Sequence, residues 1–488
     1  MNRVKWHIVI VSFVSIILMI SLGIILWNSI TEPVLVSSYD PEPFYMGVTY
    51  CGESVEEAKL LIDRVKSYTN LFVIQSGPLQ WQHEKMDQIC NYAVDSDLFF
   101  IVHFGSQNMR MRNEWLETFN PSWDNHFLGI YLGDEPAGKL LDGPMNFIDS
   151  SSQNSIRKQD DGSILYFFHE PSELGPPVRI TYQSDGTIIV LKTNLGKYFV
   201  FTSSTYYTNG TIKIEADDSD GIPRPIEDFN PEELNGTSIQ LEDYVPYSFD
   251  ELWDMYPFTD YAETSDRYIE TLNVDLENNI EDYKQVTMFT SDYALYWFDY
   301  LSGYDVLFAQ VGWNNTLAQD IALVRGAANL QHKNWGSIIT WKYNHPPYLD
   351  SGEVIFEQMR SSYEAGSKYA IIFNYSENMT GPYGTLQEEH FVALERFWNE
   401  VVHNPEVAQG SIDAEAALVL PENYGWGMRR PDDKIWGLWG PDEKSIQIWE
   451  LSRNLLEQYG LGLDIVYEDS EFPVEGKYDR IFYWDQII

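Results

Sequence analysis

Short apolar runs alternate with segments of helical periodicity along most of the chain. Four such strand–helix units begin with the apolar runs 44–50, 71–77, 98–106 and 127–132. Four more begin with the runs 285–293, 304–315, 335–344 and 368–378. Runs that are apolar throughout are typical of parallel strands buried on both faces. Eight units of this kind predict an α/β fold, a (β/α)8 TIM barrel over residues 44–404.

The alternation of strand and helix stops after the fourth unit. Residues 143–256 carry Asp-Gly or Asn-Gly pairs at 161–162, 185–186 and 209–210, which are typical of hairpin turns. We therefore predict a β-rich insertion over 143–256, leaning over the barrel mouth. Residues 413–488 predict a small C-terminal flavodoxin-like α/β domain. The loop 424–440 lacks a G-x-G-x-x-G fingerprint, so no dinucleotide site is expected there.

The amino-terminal segment is the most apolar part of the chain. Arg3 and Lys5 precede an apolar run over 8–27, which is about long enough to cross a ~30 Å hydrocarbon core. This pattern predicts a transmembrane anchor over 1–30 with its amino end in the cytoplasm, then a tether over 31–43. A cleaved signal peptide is the alternative. Both predict that the bulk of the chain is extracytoplasmic, and the anchor predicts a single-pass location in the cell membrane.

The charge balance narrows the classes of partner. The chain carries 74 acidic and 31 basic side chains, a formal net charge of −43. Such a field repels phosphates, which excludes nucleic acids as partners. Two cysteines, Cys51 and Cys90, build neither a zinc cluster nor a disulfide framework, and we expect two unpaired thiols. No metal or cofactor is predicted.

Candidate chemistry gathers where the predicted strands end, because the carboxyl ends of barrel strands face one another. Gly133 breaks strand four, and Asp134, Glu135 and Pro136 follow it. Burying an unpaired carboxylate is costly, so two adjacent acids at this point indicate a function. The alternative is that Asp134 only caps a helix with Pro136 in its first turn.

Other polar and aromatic residues end the remaining strands. The candidates for a second catalytic carboxylate are Asp292 and then Glu377. The predicted substrate-binding residues are Tyr50, Gln75, His103, Tyr293, Trp313, Asn314, Trp341 and Tyr343. Aromatic faces suit stacking on sugar rings, amides bond hydroxyls, and paired carboxylates perform acid–base chemistry. Alternatives stay open: His103 as an interior histidine, Trp313 and Trp341 as barrel filling, and Glu377 as a solvated loop residue.

The Asp134-Glu135-Pro136 run resembles the Asn-Glu-Pro sequence that ends strand four in clan A retaining glycoside hydrolases. The resemblance implies that Glu135 is the general acid/base and that Asp134 stands in the Asn position. The order of barrel and small α/β domain is similar to family 42 β-galactosidases, which implies a homo-oligomer formed through the C-terminal domain. One feature departs from clan A: its nucleophilic Glu ends strand seven, where TWKYNHPP (340–347) has no acid.

These patterns give a first hypothesis, a membrane-anchored, extracytoplasmic glycoside hydrolase acting on an oligosaccharide or glycoconjugate. Glu135 is then the acid, with a pKa raised by Asp134 and by desolvation, and Asp292 is expected to stay ionised. A second hypothesis, favoured by the missing strand-seven acid, is a non-catalytic glycan-binding or cell-envelope protein. A third is a structural surface protein whose aromatic residues are all core. The sugar, the linkage and the stereochemical outcome stay open.

Overall fold

The computed structural model describes residues 43–105, 109–142, 147–149, 154–158, 162–168, 178–194, 200–217, 224–225, 248–254, 260–277, 286–312, 316–343, 345–375 and 382–486. Nearly all of them belong to the unit Tyr45–Ile488. Its strands up to the middle of the chain are β1 (Tyr45–Tyr50), β2 (Leu71–Ile74), β3 (Phe99–Phe104), β4 (Phe127–Leu132), β5 (Phe147–Asp149), β6 (Asn154–Lys158), β7 (Ile164–Phe168), β8 (Val178–Tyr182), β9 (Ile188–Asn194), β10 (Val200–Tyr206), β11 (Ile212–Asp217) and β12 (Arg224–Pro225). The later strands are β13 (Met288–Asp292), β14 (Val306–Val311), β15 (Asn334–Ile339), β16 (Tyr369–Ile372), β17 (Ala416–Leu420), β18 (Leu463–Tyr467) and β19 (Arg480–Tyr483).

The α-helices follow the same numbering by chain order. They are α1 (Val55–Val65), α2 (His83–Asp95), α3 (Met109–Glu117), α4 (Pro136–Asp142), α5 (Phe249–Asp254), α6 (Tyr261–Glu277), α7 (Tyr296–Leu301), α8 (Leu317–Leu330), α9 (Gly352–Glu364), α10 (Glu388–Phe397) and α11 (Glu443–Tyr459). Short 3₁₀ turns lie at Pro78–Trp81, Pro121–Trp123 and Gly460–Gly462, and a π-helical turn, Trp398–Val402, continues α10.

Eight parallel strands close into a barrel, which confirms the predicted barrel fold. Their order around the barrel is β1, β2, β3, β4, β13, β14, β15, β16 and back to β1. Strands β4 and β13 pair in parallel, with Ile130 opposite Met288, although more than 150 residues separate them in sequence. The insertion therefore leaves the barrel register intact.

The barrel interior is filled by every second residue of its strands, as the two-residue period of a strand requires. The inward set is apolar and almost fully buried: Tyr45, Leu71, Val73, Ile101, Tyr131, Phe289, Val306, Phe308, Ile338, Tyr369 and Ile371. The next inward position towards the carboxyl end of each strand then forms the floor of the mouth. This alternation decides which polar residues face a ligand.

Residues between the fourth and fifth barrel strands form an eight-stranded antiparallel sheet in which β5 to β12 lie side by side in chain order. Gly186 and Gly210 have φ values of +86° and +82° in its hairpin turns. The Asp185 and Asn209 side chains accept the Thr187 and Thr211 N–H groups there. These turns use the residues that the sequence marked as hairpin signals. That the sheet leans over the mouth stays a prediction.

The C-terminal residues build a three-stranded parallel sheet in the order β18–β17–β19, with α11 between β17 and β18. The loop after β17 is ordered by aromatic packing, because Trp426 and Trp436 are buried. Trp426 and Ile435 form an isolated bridge in this loop. The homo-oligomer implied for this domain stays a prediction.

The predicted single-pass membrane location requires correction. Across the described ranges, no helix is both long and apolar enough to cross a bilayer. Helices α6 and α11 have 17 residues each and carry several charges, whereas a span needs about 20 apolar residues. The predicted anchor 1–30, with its apolar run 8–27, lies outside the described residues. The membrane anchor and the extracytoplasmic placement that depended on it are thus unsupported.

Candidate active site

A cavity of about 210 Å³ opens at the carboxyl ends of the barrel strands. Its lining consists of Gln75, Asp134, Glu135, Ser291, Gln310, Ile338, Thr340, Trp341 and Phe373. Several of these follow an inward core residue by two positions, as Ser291 follows Phe289 and Gln310 follows Phe308. The cavity floor is therefore the uppermost inward layer of the barrel.

The turn after β4 brings Glu135 to the cavity. Its backbone has a φ of +54°, in the left-handed region that costs a non-glycine residue roughly 1–2 kcal/mol. The Glu135 N–H donates to the Ser291 carbonyl at 2.8 Å, and the Lys139 N–H donates to the Glu135 carbonyl at 2.9 Å. The turn is thus tied to β13 on one side and to the first turn of α4 on the other.

The Asp134 side chain is held by two hydroxyl groups. Asp134 Oδ1 lies 2.6 Å from the Tyr131 hydroxyl and 3.0 Å from Ser291 Oγ, and these two oxygens are 2.6 Å apart. Asp134 therefore faces the cavity and does not cap α4. The alternative of a purely capping role for Asp134 is not what the structure shows.

The Glu135 carboxyl is held from across the mouth by Gln310. Gln310 Nε2 donates to Glu135 Oε1 at 2.8 Å and to Ser291 Oγ at 2.9 Å. Burial raises the pKa of Glu135, and the neighbouring Asp134 charge raises it further. The Gln310 hydrogen bond and Lys139, whose Nζ is 3.9 Å from Glu135 Oε2, oppose the rise. This balance favours a carboxyl that keeps its proton to higher pH than usual, as general acid work requires.

Asp292, the predicted partner of Glu135, lies behind the barrel wall and is fully buried. Asp292 Oδ2 accepts the Ala137 N–H at 2.6 Å. Asp292 Oδ1 accepts two N–H groups, that of Gly138 at 2.9 Å and that of Tyr293 at 2.7 Å. Burial raises its pKa to about 8, against these donors. The reason is its position in the strand: Ser291 faces inward, so Asp292 must face outward. This arrangement fits a cap on α4 and does not fit an ionised nucleophile at the cavity.

Two more predicted binding residues contribute to the mouth in different ways. Gln75 lines the cavity; its Nε2 donates to the Tyr131 hydroxyl at 3.3 Å, and its buried Oε1 has no partner within the described structure. His103 Nδ1 accepts a hydrogen bond from Gln80 Nε2 at 3.1 Å. The His103 ring also forms a hydrogen bond with the Gly133 carbonyl. Burial lowers the pKa of His103 to about 4. Neutral His103 thus supports the Gly133 turn.

Tyr50 and Tyr293 face away from the cavity lining. The Tyr50 hydroxyl donates to the Ser54 carbonyl at 2.6 Å and accepts the Ser54 N–H at 2.9 Å, which orders the start of α1. The Ser54 hydroxyl in turn accepts the Glu57 N–H at 3.3 Å. The Tyr293 hydroxyl donates to Asp142 at the end of α4. Tyr50 follows an inward position of β1 by one residue and therefore points outward. Tyr293 lies just beyond the end of β13, and its hydrogen bond with Asp142 directs its side chain towards α4.

Trp341 forms an aromatic wall of the cavity. Its ring stacks with Tyr375 at 5.2 Å and Phe373 at 6.2 Å between centroids. Tyr343, two residues on, is exposed and stacks with His345 instead. The remaining predicted residues, Trp313, Asn314 and Glu377, lie outside the described residues.

Five lining residues were not predicted from the sequence: the polar residues Ser291, Gln310 and Thr340 and the apolar residues Ile338 and Phe373. A signal existed for the three polar residues, because each follows an inward apolar residue by two positions in a predicted strand. Cys51 and Cys90 are both free thiols. Among the residues that the structure describes, no cluster of His, Cys, Asp and Glu is arranged to hold a metal ion.

The chain is similar to a known protein in structure but matches none in sequence. No family model matches the sequence, and no curated protein matches it. Among solved structures, the crystal structure of GH5_18 from Streptomyces cattleya in complex with GlcNAc is similar over 91% of this chain and 98% of that chain. The TM-score is 0.44 and the sequence identity 9%. Similarity at this level carries neither activity nor ligand from one protein to the other, and the likeness of the C-terminal domain to family 42 is not confirmed.

Proposed function

We propose that this protein is a glycoside hydrolase in which the barrel mouth binds a sugar and Glu135 is the general acid. The observation that carries the proposal is the placement of Glu135. It lies at the carboxyl end of strand four, lines the cavity, and is desolvated beside a second carboxylate, Asp134. A general acid needs this combination of access to the ligand and a raised pKa.

The hydrogen bonds of the site suit proton donation to a glycosidic oxygen. Gln310 occupies Glu135 Oε1 as a donor, so the proton belongs on Oε2, the oxygen left for the ligand. Trp341 and Phe373 supply flat apolar surface for a sugar ring, and the unpartnered Oε1 of Gln75 supplies an acceptor for a sugar hydroxyl. The substrate class is an oligosaccharide or glycoconjugate.

The second carboxylate of the reaction is proposed to be Glu377. Asp292 is engaged by backbone N–H groups of α4, and the end of β15 carries Thr340 and Trp341 instead of an acid. Glu377 follows the eighth barrel strand in the sequence, one strand further around the barrel. Strand β16 lies across the barrel from β4, the strand that Glu135 follows.

A non-catalytic glycan-binding protein is the second candidate. The specific observation in its favour is the strand-seven end, where the described residues Thr340 and Trp341 contribute a hydroxyl and an aromatic ring but no nucleophile. The same cavity would then hold a sugar by stacking and hydrogen bonds alone.

The test is hydrolysis of a panel of aryl glycosides and oligosaccharides by the purified chain. Glu135→Gln keeps the shape and removes the acidic proton, so the rate should fall by roughly 10²–10⁴-fold. Glu84→Gln, at an exposed position on α2, is the matched control and should keep full activity.

Trp341→Ala tests whether the cavity is the sugar-binding site, because it should weaken sugar binding under either candidate function. Glycan binding that is lost in Trp341→Ala, with no hydrolysis of any member of the panel, would establish the binding protein. Hydrolysis at an unchanged rate by Glu135→Gln would remove the assignment of the acid.

A further inference from the structure

Helix α4 carries the Glu135 turn at its amino end and is fastened at both of its ends. At the amino end, Asp292 accepts the Ala137 and Gly138 N–H groups. In the middle, Gly138 lies against Tyr293 so closely that an added Cβ would be 2.1 Å from the ring. Helix α4 therefore packs directly against the Tyr293 ring, with no space between them at Gly138.

The other end of α4 is held by the C-terminal domain. Asp142, its last residue, accepts Arg429 Nη1 at Oδ1 at 2.7 Å and the Tyr293 hydroxyl at Oδ2. The Arg429 guanidinium also lies over the Tyr293 ring, 5.3 Å from its centroid. Arg429 thus contacts both Asp142, the end of the helix, and Tyr293, the residue to which Asp142 is hydrogen-bonded.

Arg429 is itself fixed by a buried carboxylate. Asp433, which is fully buried, accepts Arg429 Nε at 2.8 Å and Nη2 at 2.7 Å in a bidentate pair. Gly427 brings this loop onto α4, because an added Cβ would lie 2.8 Å from the Leu141 side chain. A guanidinium held by a planar two-point contact has little freedom to move away from Asp142.

We propose that Arg429 is a positioning residue for Glu135, through which the C-terminal domain holds α4 and the turn that presents the Glu135 carboxyl to the cavity. This assigns the C-terminal domain a part in the site that is independent of any oligomer. The catalytic meaning rests on the proposed function, whereas the positioning itself does not.

The charges around Glu135 make the proposal measurable. The groups facing it are Asp134, Lys139 and Asp142 from its own turn and helix, Tyr131 from β4, and Asp292 with Tyr293 from the end of β13. Asp142 raises the pKa of Glu135, and Arg429 offsets the Asp142 charge. Removing Asp142 should therefore lower the pKa of Glu135, and removing Arg429 should raise it.

The experiment follows the Glu135 carboxyl by NMR titration of the full chain with ¹³C-labelled glutamate, the signal being assigned by its loss in Glu135→Gln. Arg429→Ala should raise the pKa of Glu135, and Asp142→Asn should lower it. Arg430→Ala, the adjacent arginine in an exposed pair with Asp432, is the control and should change nothing. Hydrogen exchange of the 136–142 amides should quicken in Arg429→Ala. If a substrate is found, kcat should fall by up to roughly a hundredfold with KM little changed.

Two results would overturn the proposal. One is an unchanged Glu135 pKa together with unchanged exchange in Arg429→Ala. The other is a pKa shift of the same size in Arg430→Ala, which would mean that the loss of any positive charge from this loop acts on Glu135 and that the contact of Arg429 with Asp142 does not. Asp142→Asn changes a half-exposed, isosteric group and keeps the test valid if Arg429→Ala does not fold. None of these readouts needs a substrate, so failure of hydrolysis would remove the proposed activity and leave this inference standing.

Discussion

Gln310 holds the Glu135 carboxyl and the Ser291 hydroxyl with a single amide nitrogen. Ser291 in turn contacts Asp134, so one network of hydrogen bonds connects both acids of the turn. Hydrogen bonding to the charged form of an acid lowers its pKa, whereas a neighbouring negative charge raises it. Gln310 and Asp134 therefore set the protonation of Glu135 with opposite signs.

This opposition predicts opposite changes in the pH dependence of kcat/KM. Glu135 is active when protonated, so activity falls as pH rises through its pKa. Gln310→Met removes the donor, raises the pKa of Glu135, and should move this alkaline limb to higher pH. Asp134→Asn removes the charge and should move the limb to lower pH. Gln88→Met, on the exposed face of α2, should leave it in place. Limbs that shift in the same direction in both site variants would contradict the network.

Strand periodicity explains both the successes and the failures of prediction from sequence. The apolar runs were sufficient to place the eight barrel strands, because strands buried on both faces are apolar throughout. The same property hid the orientation of each residue, since an unbroken apolar run does not reveal which positions face inward. The sequence therefore predicts Asp292 at the cavity, whereas in the structure Asp292 follows the inward Ser291 by one position and faces outward.

The inventory of the mouth was predictable where a residue follows the strand directly and lies on the inward side. Gln75 meets this condition, because it follows β2 directly and stands two positions after the inward Val73. Glu135 and Trp341 line the cavity from the turns that follow β4 and β15. Contacts between elements distant in sequence were not predictable. The partners of Asp142, for example, come from the end of β13 and from the C-terminal loop. Such contacts depend on the packing of helices on the barrel, which no local pattern records.

Helices α6 and α7 are joined by a buried acid with no basic partner among the described residues. The Tyr268 hydroxyl of α6 donates to Asp299 Oδ1 of α7 at 2.5 Å, and Asp299 Oδ2 has no partner within the described structure. Burial raises the pKa of Asp299 well above its usual range, and Asp292 adds to this. A carboxyl in these surroundings is stable in its neutral form.

Asp299 should therefore lower the free energy of unfolding as pH rises. An unfolded aspartate releases its proton near pH 4, whereas the folded chain keeps it up to the raised pKa. Between these limits the unfolding free energy falls by about 1.4 kcal/mol per pH unit from this group. Asp299→Asn removes the titration and should flatten that slope, making the variant the more stable protein at pH 8. Urea unfolding between pH 5 and 9 measures this, with Asp266→Asn, exposed on α6, as control. Equal slopes in Asp299→Asn and the unmutated protein would show that Asp299 does not hold its proton.

The barrel and the C-terminal domain share a buried ion pair. Arg325 of α8 donates from Nε to Asp464 of β18 at 2.7 Å, and the two side chains are 3% and 0% exposed. Arg325 also donates to the carbonyls of Ile412, Leu461 and Leu463. Next to it, an added Cβ on Gly326 would lie 2.9 Å from the Ile465 carbonyl. The helix and the sheet thus meet without space between them.

A contact of this kind predicts that the barrel and the C-terminal domain unfold together. Burial raises the pKa of Asp464 and Arg325 opposes the rise, so each partner depends on the other to be buried as an ion. Asp464→Ala leaves the Arg325 charge without its carboxylate, a change that costs roughly 3–5 kcal/mol in buried pairs.

We expect Asp464→Ala to lower the urea midpoint of the whole unit while far-UV circular dichroism and tryptophan fluorescence keep a single, coincident transition. The exposed pair of Arg430 with Asp432 supplies the control: Asp432 is 77% exposed, and Asp432→Ala should change stability by less than about 0.5 kcal/mol. Arg325→Met combined with Asp464→Leu removes both charges together and should recover much of the loss, because the penalty comes from the unpaired ion. A second transition at the unmutated midpoint in Asp464→Ala would instead mean that the barrel keeps its stability without the C-terminal domain.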